Sequence, residues 1–166
     1  MRPFLFAALL ALSACATVPG DYPAPRYADA ASRGAFGALM AGRPTQTQVD
    51  EATEKWSDAL GDSFACRLPA RQVIDAGLVG ALDLGAMNAA ASGGGRREVR
   101  EGVERYVGRL ASLAVEHRPQ PSPARCQRLA QWAPRTADAG REAVQRARRN
   151  GLMNDNYGLL MDLLTR

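Results

Sequence analysis

The chain has one histidine, one lysine and three cysteines among its 166 residues, and aromatic side chains make up only 6% of it. Each scarcity removes a class of chemistry. A lone histidine and two distant cysteines do not supply the ligand set of a zinc site. No CxxC is present, which argues against a thiol–disulfide exchange centre. No block of five like charges occurs, so a long nucleic-acid-binding tail is not encoded. There is no GxSxG, and the single histidine would have to serve any serine nucleophile as base. The glycine run Gly93-Gly94-Gly95, followed by Arg96 and Arg97, lacks both the GxxxxGK[ST] pattern and a preceding strand. No cofactor is expected. What is present is an apolar fraction of 46%, ordinary for a globular protein, in a length that suits one domain. The apolar run at the N-terminus is too short for a stable bilayer span, and no other span is expected.

Residues 1–15 read MRPFLFAALLALSAC. Arg2 supplies a positive start, Phe4 to Leu12 an apolar stretch, and Ser13 and Ala14 a small-residue exit, the pattern of a secretory signal. The ending Leu12-Ser13-Ala14-Cys15 resembles the lipobox of bacterial lipoprotein precursors. The resemblance covers roughly the first 16 residues. It implies cleavage before Cys15, a diacylglyceryl thioether on that cysteine, and in many bacteria an N-acyl chain. Two or more chains anchor firmly where one is marginal. Ala16, in place of the Asp that retains many such proteins at the inner membrane, implies an outer-membrane destination facing the periplasm. The organisation expected is a signal peptide over 1–14, a lipidated cysteine and Pro-containing tether over 15–27, and one helical domain over 28–166.

Export gives the remaining cysteines a meaning. Cys66 and Cys126 form an even pair in an oxidising compartment, which points to a disulfide. The enclosed loop of roughly 60 residues corresponds to about 4 kcal/mol in the chain-entropy estimate.

The pattern along the chain is helical, with no strand-period run. Ala-rich residues 28–41 predict a short helix ended by Gly42 and Pro44. Thr45 or Thr47 caps a second, with Val49, Ala52, Trp56, Ala59 and Leu60 on its apolar side and Gly61 at its end. Pro69 introduces a mostly apolar third to about residue 90, read as the buried central element; Gly85 could instead divide it in two. Residues 96–117 carry a seam of Val99, Val103, Tyr106, Leu110, Leu113 and His117, with Arg97–Glu101, Arg100–Glu104 and Glu101–Arg105 on the wet sides. Ser122 and Pro123 open a helix stopped by Pro134. Residues 137–149 form another, and Tyr157, Leu160, Met161 and Leu164 mark a tail helix. The expected fold is all-α: a small irregular bundle of about six or seven helices with one disulfide.

Candidate chemistry is sparse. His117 reads as a helix-end residue, and the acids read as scattered surface groups. Asp75 and Asp83 are the least expected acids because they interrupt the apolar third helix. Both are read as facing water, and Arg71 precedes Asp75 by one helical turn. The sharper signal is charge asymmetry. Residues 21–95 carry six basic and nine acidic groups, net −3, whereas residues 125–149 carry seven and two, net +5. Arg125, Arg128, Arg141, Arg146, Arg148 and Arg149 are the candidate contacts for an anionic partner. Export and the absence of interleaved aromatics argue against nucleic acid. These features suggest a non-catalytic, membrane-anchored envelope lipoprotein that serves as an accessory or assembly subunit for another envelope protein. The alternative is a module binding anionic lipid, lipopolysaccharide or peptidoglycan through its arginines. An envelope enzyme has the least support.

Overall fold

A computed structural model of the chain describes residues 22–33 and 42–154. Among these the secondary structure is five helices and no strand: α1 (Ala28–Ser32), α2 (Gln46–Ala65), α3 (Ala70–Ser92), α4 (Arg96–Val115) and α5 (Pro123–Arg149). The all-α expectation stands, but the count of six or seven helices is corrected to five among the described residues. The main reason is Pro134, which lies inside one 27-residue helix instead of ending one. A proline in mid-helix strands the carbonyl four residues earlier. Here that residue is Ala130, on the exposed side of α5, where water can take the bond. α3 likewise runs through Gly85 unbroken. The rest of the first predicted helix (34–41) and the tail helix after Asn154 lie outside the described residues.

The helix ends follow local chemistry. Thr45 and Gln48 form a reciprocal capping box on α2: Thr45 Oγ1 accepts from the Gln48 N–H at 3.3 Å, and Gln48 Oε1 accepts from the Thr45 N–H at 2.9 Å. Ser122 caps α5, with Pro123 in its first turn. α2 continues past Gly61 to Ala65. α4 stops two residues before His117, because Glu116 is already extended and Arg118 precedes Pro119. His117 is therefore an exposed loop residue, not the end of the apolar seam.

α3 is the centre of the molecule. It has the length and apolar content of a membrane-crossing helix, yet 89% of its apolar window is buried. Its glycines let neighbours approach closely. A Cβ at Gly77 would meet Leu110 of α4 at 2.5 Å, and one at Gly80 would meet Trp56 of α2 at 2.6 Å. Where α3 and α4 cross, a Cβ at Gly102 would lie 2.8 Å from the Gly85 Cα. Backbone meets backbone there, so a side chain at either position would force the helices apart.

Two devices fasten the periphery. The Cys66–Cys126 disulfide joins the end of α2 to the first turn of α5, with Cα atoms 5.5 Å apart. Beside it Asp62 of α2 receives Arg125 of α5 and, at 3.5 Å, Arg118. The second device holds the strap, residues Tyr22–Arg33. Asp83 of α3 is 3% exposed. Its Oδ1 accepts the backbone N–H groups of Arg26, Tyr27 and Ala28 at 2.7, 2.5 and 2.9 Å. A carboxylate from the core thus caps the start of α1 in place of a local N-cap side chain. Trp132 Nε1 donates to the Pro23 carbonyl at 2.9 Å, and Tyr22 and Trp56 pack on the Trp132 ring. The segment expected as free tether is thus docked from Tyr22 onward.

Candidate functional site

The reading of Asp75 and Asp83 as two water-facing acids fails at Asp83. Burial pushes the Asp83 carboxyl up to about 6, although the N–H groups of Tyr27, Ala28 and Arg26 and the Trp56 side chain pull it down. Its partners are all structural, and it belongs to the strap's attachment. Asp75 is different. It is partly exposed and lines a groove.

That groove lies between α3 and α5 and has a volume of about 240 Å³. Leu78 and Val79 of α3 and Ala137 and Val144 of α5 give it an apolar floor. Arg71 and Asp75 come from α3, and Arg141, Gln145 and Arg148 from α5. The placement follows from helical spacing: Arg71 and Asp75 are four apart, and Arg141 and Arg148 are seven apart, so each pair shares a face. Arg141 is ion-paired to Asp138 in its own helix. Among the described residues, Arg71, Arg148 and Asp75 have no ion-pair partner within 4 Å. Such an arrangement offers bidentate donors to a phosphate or carboxylate beside an apolar surface.

The structure separates the six arginines singled out in the sequence. Arg141 and Arg148 line the groove. Arg125 is bound to Asp62 and lies 5.8 Å from the centroid of the Tyr22 ring. Burial alone would lower its guanidinium; the hydrogen bond and charge of Asp62 hold it above its ordinary value. Arg128 reaches the Tyr22 hydroxyl at 3.4 Å. Arg146 is bound to Asp29, to Glu142 at 3.1 Å and to Ser32 Oγ at 3.2 Å. Arg149 is exposed in the last turn of α5, outside the groove lining. Arg71 escaped notice as a binding residue because it belongs to the acidic half of the chain. Its position one turn before an unexpected acid was the available clue.

Cys15 lies outside the described residues. The three expected pairs on α4 reduce to one, Arg97–Glu101 at 3.7 Å. Arg97 also pairs with Glu98, whose carboxyl is held below its ordinary value by its own backbone N–H and that of Gly95. No group of three or more His, Cys, Asp or Glu suited to a metal occurs among the described residues.

No family model, curated protein or solved structure matches this chain. Its function must therefore be read from its own surface. The domain is helical and disulfide-bonded, with clustered aromatics and partly buried Arg–Asp contacts, and is capable of protein or charged-surface contacts. Val115 is the one exposed large apolar side chain among the described residues. That surface offers charge rather than an apolar docking patch.

Proposed function

We propose that this protein is a non-catalytic envelope module that binds a lipid headgroup by its anionic phosphate, through the α3–α5 groove. The observation that carries the reading is the convergence of Arg71, Arg141 and Arg148 over the apolar floor of Leu78, Val79 and Val144. The arginines provide for a phosphate and the floor for the first carbons beyond it. The resemblance of the segment ending at Cys15 to a lipobox supports this reading, because a lipidated Cys15 would hold the domain beside a bilayer. With Tyr22 docked, only residues 16–21 separate the anchor from the core. Six residues reach about 20 Å when extended, so a lipidated Cys15 would keep the domain close to the lipid surface. Contacts with an envelope protein partner are compatible with the fold, but among the described residues no exposed apolar patch favours them over the groove.

The test uses the full chain in neutral maltoside micelles, titrated with short-chain dihexanoyl phosphatidylglycerol and dihexanoyl phosphatidylcholine. The expected result is saturable binding of the anionic lipid, at least about tenfold tighter than the zwitterionic choline lipid, as charge-assisted hydrogen bonding implies. Equal binding of both would refute the reading.

A further inference from the structure

The groove is not uniformly cationic, and its one carboxylate is the informative part. Asp75 stands one turn from Arg71 on the same face of α3, lines the groove, and has no ion-pair partner among the described residues. A wall built only to attract anions would gain from an apolar or amide residue at that position. A ligand carrying negative charge alone gains from Arg71 and Arg148 but is repelled by Asp75. A ligand with a cation adjacent to its anion satisfies all three. Arg141 has Asp138 as an internal partner, which leaves Arg71 and Arg148 as the two guanidiniums free for one phosphate.

Size narrows the ligand further. A groove of about 240 Å³ is smaller than the roughly 300–1,000 Å³ of a pocket that encloses a drug-sized ligand. It holds a headgroup and not a diacyl lipid, whose chains would continue outward along the apolar floor. The cation must also come close to a half-buried carboxylate. A primary ammonium presents three N–H donors and little bulk, whereas a trimethylammonium presents none.

We propose, building on the phosphate-binding reading, that the groove selects the zwitterionic phosphoethanolamine headgroup of a membrane lipid, with Arg71 and Arg148 on its anionic phosphate and Asp75 on its ammonium.

The experiment is a titration of the full chain, in neutral maltoside micelles, with dihexanoyl phosphatidylethanolamine, phosphatidylglycerol and phosphatidylcholine, and with free phosphoethanolamine. The ethanolamine lipid should bind about tenfold tighter than the glycerol lipid, and the choline lipid weakest. Asp75→Asn should invert the order, weakening the ethanolamine lipid about tenfold while strengthening the glycerol lipid. Opposite shifts for two ligands are not a signature of misfolding. If the ethanolamine lipid binds no tighter than the glycerol lipid, or if Asp75→Asn leaves their ratio unchanged, this inference falls while the phosphate-binding reading stands. Free phosphoethanolamine binding as tightly as the lipid would overturn the assignment to a membrane lipid. Failure of all the lipids to bind would overturn both readings.

Discussion

α5 carries two sets of arginines with opposite employment. Arg125, Arg128 and Arg146 face the strap and α2, where Asp62, Tyr22, Asp29 and Ser32 occupy them. Arg141 and Arg148 face the groove, and Arg148 has no counter-ion among the described residues. The residue type, helix and local charge density are the same. What differs is whether the neighbouring element brings an acceptor. A net charge of +5 over residues 125–149 therefore overstates the surface available to a ligand, because part of it neutralises acids supplied by the first half of the chain.

The strap side should therefore respond in stability and the groove side in binding. The largest effect should follow removal of the disulfide. Cys66→Ser/Cys126→Ser releases a loop of 60 residues and should lower the unfolding free energy by about 4 kcal/mol, read from urea titration. Next is Asp83→Ala, which leaves three backbone N–H groups without their acceptor. It should cost about 3 kcal/mol and speed amide exchange at residues 26–28. Asp83 also sets a pH dependence of defined sign. Its folded pKa, about 6, is above the ordinary aspartate value of 3.8. The folded state thus holds the proton more tightly, and stability from this group is greatest below about pH 4. It declines by about 3 kcal/mol as the pH rises toward 6 and is level above that. Asp83→Asn should flatten that decline, whereas an unchanged slope would show that another group titrates.

Smaller effects sharpen the contrast. Arg146→Ala removes bonds to Asp29 and Ser32 across a partly solvated contact. It should cost about 1 kcal/mol and leave lipid binding within about twofold. Arg148→Gln should leave stability within about 0.5 kcal/mol of the parent, since it removes no internal partner. A larger loss would mean that the groove arginine is structural after all.

The parts of this fold that depend on local pattern were legible in the sequence. The capping residues Thr45 and Ser122, the buried apolar α3 and the Cys66–Cys126 pairing follow from spacing and residue type. The long-range decisions were not. Nothing local shows that Pro134 would be tolerated inside α5, because that depends on which side of the helix meets solvent. Asp83 looked like a surface acid because the donors that justify its burial come from residues 26–28, more than 50 positions away. The groove was half legible for the same reason. Arg141 and Arg148 were visible as a seven-residue repeat, but Arg71 and Asp75 join them only once α3 packs on α5.

The most direct test of the central claim compares two variants with equal charge loss. Arg71→Gln/Arg148→Gln removes both free groove cations; Arg100→Gln/Arg105→Gln removes two exposed cations from α4. Binding of dihexanoyl phosphatidylglycerol to each full-length variant should fall at least about tenfold in the first and change less than about twofold in the second. Equal losses in both would show that the lipid senses net charge alone, and the groove would no longer be a site.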